Sequence, residues 1–130
     1  AHEDGTITFA EPADPALKSL RITAKEGDIP MEEKILHLPV QRLPTILEKL
    51  GHKRIDILKM DIEGAEYEVI EDIISSPIPI DQVLIEFHHR FDHIGISRSK
   101  EAISKLNKAG YLIFNVSDSG EEISFIKRKG

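Results

Sequence analysis

Asp61, Glu63 and Gly64 lie in the run "IDILKMDIEGAEYEVIEDII" (residues 55–74), where a strand-like pattern gives way to a helix-like one. Further on, "DQVLIEFHH" ends with Glu86, His88 and His89, and His93 follows closely. Side chains of these types can move protons, because an imidazole titrates near neutrality and a carboxylate can accept or orient one. They could also hold a metal, but their spacing matches no established zinc signature, and no metal ligand is expected among them. A plainer reading stays open: Asp61 caps the helix, Glu63 complements its dipole and the histidines bond to backbone. Taken alone, a D-x-E triplet tilts toward that reading.

These residues depend on the elements that carry them. "RIDILKMD" alternates as a strand, with Ile55, Ile57 and Lys59 on one face and Leu58 and Met60 on the other, and it needs burial on both sides. A strand continuing through Asp61 and Glu63 aims both carboxylates one way, and Gly64 allows a sharp turn or a close approach to a ligand. Ala65, Val69, Ile70, Ile73 and Ile74 then recur at helical spacing, leaving Glu63, Glu66, Glu68, Glu71 and Asp72 as a wet face. "DQVLIEFHH" reads as a second strand. Glu86 at its end needs a partner or a wet cleft, and Lys59 in the neighbouring strand is a suitable partner.

"SRSKEAISKLNKAG" predicts another helix, capped by Ser97 or Ser99, burying Ala102, Ile103 and Leu106 and stopping at Gly110. "YLIFNVS" and "EEISFIKR" follow as a hairpin around "DSG". Upstream, "GTITFAE" and "KILHLPVQRL" are extended segments with irregular connections, and "PTILEKLG" is a short helix with Pro44 in its first turn and Gly51 as its stop. The order from residue 54 onward is a βαβαβ unit whose right-handed crossovers make three strands parallel, plus one antiparallel strand. Ligands of such sheets bind beyond the carboxyl ends of the strands, which selects residues 61–64, 86–89 and 115–119.

A chain of 130 residues fits one domain with a real core, and 40% hydrophobic with 31% charged residues argues against disorder. The net charge of −6 argues against nucleic acid as a partner. No apolar run is long enough for a membrane span, so no membrane is expected either. The absence of cysteine excludes disulfides and fits a reducing, cytoplasmic setting. G-x-G-x-x-G, Walker and G-x-S-x-G motifs are all missing.

"IDILKMDIEGAEYEVI" followed by "VLIEFHH" resembles the FkbM family of S-adenosylmethionine-dependent methyltransferases. In that family a strand ending in K-x-D-x-E-G-x-E precedes a strand ending in E-x-H. Lys59, Asp61, Glu63, Gly64 and Glu66 match the first motif, and Glu86 and His88 match the second. "DGTITF" and "LPVQRLPTIL" are similar to the stretches that lead into it. The resemblance implies a Rossmann-like sheet in which the three parallel strands are the fourth to sixth and the final strand is a seventh, inserted between the fifth and sixth. The first three strands, with their glycine-rich cofactor turn, have no counterpart here. Residues 1–130 are accordingly expected to be the C-terminal portion of one methyltransferase domain, binding S-adenosylmethionine poorly alone and self-associating through uncovered sheet surfaces.

The implied activity is O-methylation of a small-molecule or sugar hydroxyl. Asp61, Glu63, Glu86 and His88 are the implied catalytic residues, with His88 or Asp61 as base, Glu86 orienting, and Asp61 also at the cofactor. Two other readings compete: a metal-dependent hydrolase using Asp61, Glu63, His88 and His89, and a nonenzymatic α/β interaction module.

Overall fold

The computed structural model describes residues 4–11, 21, 22 and 34–129. The chain forms two compact units, one within Glu3–Gln41 and one within Arg42–Gly130.

In the first unit, strands β1 (Gly5–Glu11), β2 (Arg21–Ile22) and β3 (Lys34–Val40) make an antiparallel sheet in the order β2-β1-β3. β1 pairs with β3 along its whole length, Gly5 opposite Val40 and Glu11 opposite Lys34. Pro39 sits on the edge strand β3, where a missing N–H donor is tolerated. The expected extended segments are thus strands of one sheet. The irregular connections expected between them, residues 12–20 and 23–33, lie outside the described residues.

The second unit runs α1 (Leu43–Leu50), β4 (Ile55–Met60), α2 (Glu66–Ser75), β5 (Ile80–Glu86), α3 (Ile96–Lys108), β6 (Tyr111–Val116) and β7 (Glu122–Lys127). Pro44 falls in the first turn of α1, and Gly51, at φ 67°, closes it with a left-handed cap. The sheet order is β4-β5-β7-β6, with β4 parallel to β5 and β7 antiparallel to both its neighbours. β6 therefore runs in the same sense as β4 and β5, and the hairpin's return strand enters between β5 and β6, as the resemblance implies. The class is α/β with a mixed sheet and, among the described residues, three helices.

Both crossovers step in the same direction across the sheet, so right-handedness puts α2 and α3 on one face. There Ile70 and Ile73 of α2 and Leu106 of α3 pack in one core with Val83, Ile85 and Phe125. No helix among the described residues is long and apolar enough to cross a membrane.

Three local expectations need correction. Burial on both sides of β4 is not found, since Ile57 is 58% exposed and Lys59 is exposed. β4 is an edge strand, and the register aligns Ile57 with Gln82, Ile126 and Leu112 in a row across the face opposite α2 and α3. The wet face of α2 is interrupted by Glu66, at 0% exposure, and by the buried Asp72, whose carboxylate accepts a hydrogen bond of 3.1 Å from Arg42 Nε. No serine caps α3. Gly95 holds that position, Ser97 is exposed, and the buried Ser99 instead bonds the Tyr67 hydroxyl at 2.8 Å.

Candidate active site

The parallel pairing of β4 with β5 sets Met60 beside Ile85, so the segments leaving the two strands emerge side by side. β4 ends at Met60 and α2 starts at Glu66, leaving residues 61–65 to reverse the chain. Glu63 takes φ 54°, the one positive φ outside glycine among the described residues, and Gly64 takes φ 102°. A Cβ on Gly64 would stand 2.9 Å from Ile94 Cδ1, so glycine is required there by conformation and by space.

Glu66 holds this connection together. Its Oε1 accepts the backbone N–H of Ile62 at 2.9 Å and that of Gly64 at 3.3 Å. Asp61 does not cap α2. The N-cap position is Ala65, with no side-chain cap, and the inward-turned Glu66 instead meets the loop amides of Ile62 and Gly64 that precede the helix. The two carboxylates of the D-x-E triplet still converge, but through the left-handed turn at Glu63 rather than by strand alternation.

They converge on His88, which follows β5 by two residues and is 0% exposed. His88 Nδ1 lies 2.8 Å from Glu66 Oε1. With a carboxylate on that side Nδ1–H donates, which turns Nε2 toward the rim. Nε2 lies 3.6 Å from Asp61 Oδ1 and 3.7 Å from Glu63 Oε2, and it has no hydrogen-bond partner. The Asp61 side chain is 48% exposed and that of Glu63 38%, so solvent reaches the rim while the imidazole is enclosed. Phe91 packs against the imidazole at 5.1 Å between ring centres. A ring nitrogen fixed by a buried carboxylate and aimed at a wet acidic rim can exchange a proton or ligate a cation.

The other expected site residues divide. Glu86 pairs with Arg90 at 3.7 Å, four residues on, and Arg90 also meets Glu121 at 3.0 Å. That contact with Glu121 holds the guanidinium further into its charged range. Lys59 is not the partner of Glu86, because it is exposed and stands beside Leu84 in the parallel register. His89 turns to Ser99 Oγ at 3.4 Å, and His93 is exposed and stacks on Phe91. The ligand set of the hydrolase reading thus loses His89.

Glu66 was missing from the expected site, although it is the last letter of K-x-D-x-E-G-x-E. Helical periodicity counted it with the solvated acids. Two cavities elsewhere, about 200 Å³ beside Tyr67 and Arg98 and about 380 Å³ beside Ile78 and Tyr111, share no residue with this cluster.

The model of the family described as "Methyltransferase FkbM domain" matches residues 3–113. "Probable methyltransferase-like protein 24" of Homo sapiens is 33% identical over 69 residues, 52% of this chain and 19% of that protein. The Rattus norvegicus protein of the same description is 34% identical over 65 residues, 48% of this chain and 18% of its own length. The matches span about a fifth of the length of these curated relatives. No solved structure gives a significant match.

Proposed function

Because the chain belongs to the methyltransferase FkbM domain family, we propose that residues 1–130, both compact units included, are the C-terminal, acceptor-side portion of one S-adenosylmethionine-dependent O-methyltransferase domain of Rossmann-like type. The acceptor is a hydroxyl of a small molecule or sugar. The observation that carries this reading is the convergence of Asp61, Glu63 and His88 beyond the carboxyl ends of the parallel strands β4 and β5, where ligands of such sheets bind.

Among the described residues, no cradle for the methyl donor is evident at the acidic cluster. No glycine-rich turn of the G-x-G-x-x-G kind occurs in the sequence, and neither cavity touches the acidic cluster. On this reading the donor is held chiefly by residues beyond these 130, with Asp61 at its edge. The chain's own residues act on the acceptor. A hydroxyl attacking a methyl group must shed its proton during or after attack, and a positioned base contributes about 10²–10⁴-fold. His88 Nε2 and Asp61 Oδ1 are the two proton acceptors at the rim, Glu66 fixes the imidazole, and the Glu86–Arg90 pair orients the acceptor from the β5 side.

The uncovered row Ile57, Leu112 and Ile126 supports self-association of the isolated chain. The test of the function uses the full-length protein that carries this segment, incubated with methyl-labelled S-adenosylmethionine and polyhydroxylated acceptors. Label in an O-methyl product is expected. Absence of both transfer and cofactor binding by that full-length protein would contradict the proposal.

A further inference from the structure

Asp61 Oδ1, Glu63 Oε2 and His88 Nε2 all lie within 4.8 Å of one another. Exposed carboxylates gather on many surfaces without consequence, so the weight rests on His88. Its side chain is 1% exposed, and its Nε2 is aimed at both carboxylates without a hydrogen-bond partner. As placed, the nearest oxygens of Asp61 and Glu63 lie 3.6 and 3.7 Å from it, outside ordinary hydrogen-bond distance. A cation lying between the three atoms satisfies that nitrogen.

We propose that Asp61, Glu63 and His88 bind a divalent transition-metal cation of the zinc or manganese(II) kind. Spacing, charge and support each favour this. Tetrahedral donors about 2.1 Å from a zinc ion stand about 3.4 Å from one another. The nitrogen-to-oxygen separations of 3.6 and 3.7 Å are a few tenths of an ångström above that, and the two carboxylate oxygens, within 4.8 Å of each other, sit on partly exposed side chains free to close. Three carboxylates, those of Asp61, Glu63 and Glu66, meet around one imidazole, and a dication offsets that excess. The buried Glu66 carboxylate on Nδ1 supplies the carboxylate–histidine–metal arrangement that fixes a ligand's tautomer and raises its basicity. An imidazole donor beside two carboxylates selects against calcium and magnesium, which prefer all-oxygen shells. Three protein ligands leave a coordination position open for water or an acceptor oxygen.

The proposal stands on this geometry and does not rest on methyl transfer. It does bear on the choice of base. An imidazole that ligates through Nε2 has no lone pair for a proton, which leaves the outer oxygen of a rim carboxylate to take it.

The test is isothermal titration of the chelator-treated 130-residue chain with Zn²⁺ and, separately, Mn²⁺. One site of micromolar or tighter affinity is expected. Glu66→Gln replaces the carboxylate behind Nδ1 while keeping an oxygen for the Ile62 and Gly64 amides, and should weaken binding about 10–100-fold. His88→Ala should weaken it at least as much, and His52→Ala, at an exposed histidine outside the cluster, should leave it unchanged. Because His88 is buried, Glu63→Gln on the open rim provides a variant whose folding is not at stake. Co²⁺ in place of zinc should give visible ligand-field bands that this variant loses. Wild-type affinity no tighter than millimolar, or affinity unchanged in both His88→Ala and Glu63→Gln, would overturn the proposal.

Discussion

Glu66, the first residue of α2, and His88, two residues past β5, share a hydrogen bond of 2.8 Å between two fully buried side chains. This one contact ties the loop leaving β4 to the loop leaving β5. The same oxygen, Oε1, also holds the Ile62 and Gly64 amides, so the acid that orients the imidazole also shapes the turn that brings Asp61 and Glu63 to it.

Removing that acceptor should therefore be costly. Glu66→Ala leaves two amides and the imidazole N–H without a partner and is expected to lower unfolding free energy by about 3 kcal/mol or more, since each buried unsatisfied group costs about 1–3 kcal/mol. Glu66→Gln retains an acceptor oxygen and should cost about a third as much. Urea unfolding of the two variants measures the difference, and equal losses would contradict this role.

Gly64→Ala combines a disfavoured backbone with a clash. At φ 102° an L side chain is strained, and its Cβ would press on Ile94 Cδ1 at 2.9 Å. A loss of about 1–3 kcal/mol is expected. Shortening the obstacle in the double variant Gly64→Ala/Ile94→Val should recover part of the steric share and none of the conformational share. Thermal unfolding of the single and double variants separates the two.

The chain has two tyrosines, and burial raises the pKa of both Tyr67 and Tyr111. For Tyr67 the hydrogen bond with Ser99 partly opposes that shift. A folded pKa above the unfolded one means the native state holds its proton more tightly. The resulting stability is fully present below the unfolded value of about 10 and is lost as pH rises through the folded values. Ultraviolet titration at pH 10 should show less phenolate in the folded chain than in 6 M guanidinium, where the two tyrosines are about half ionised. Half-ionisation at pH 10 under native conditions would contradict the burial of these side chains.

The uncovered row of the four-stranded sheet gives a prediction about association. Ile57, Leu112 and Ile126 are 58%, 41% and 42% exposed in one register row. Sedimentation of the 130-residue chain should show concentration-dependent dimers or larger species, reduced by Ile57→Lys and Ile126→Lys together. A clean monomer at every concentration would refute the idea.

Much of the second unit was legible because its signals are periodic. The alternation from Ile55 to Met60, the helical spacing from Val69 to Ile74 and the stop at Gly110 all lie close to the observed elements. The first unit showed only as extended segments, because pairing between β1 and β3 is a long-range choice that no local pattern encodes. At the site, Asp61, Glu63 and His88 were found from residue type and strand ends. Glu66 was not, because a periodic pattern ranks a glutamate as solvated unless its buried partners are known. Lys59 was paired with Glu86 on strand adjacency alone, whereas Arg90 lies on the same segment and reaches Glu86 without crossing the sheet. The exposed face of β4 was misread because an apolar strand implies two covers, whatever part of the protein supplies the second.

In the proposed function the rim of Asp61, Glu63 and His88 acts on the acceptor in methyl transfer. The most direct test measures label transferred from S-adenosylmethionine to acceptor by the full-length protein, for wild type and for Asp61→Asn combined with His88→Asn. Transfer by the wild type is expected, with a fall of about 10²-fold or more in the variant at saturating cofactor. Equal rates for the two proteins would contradict it.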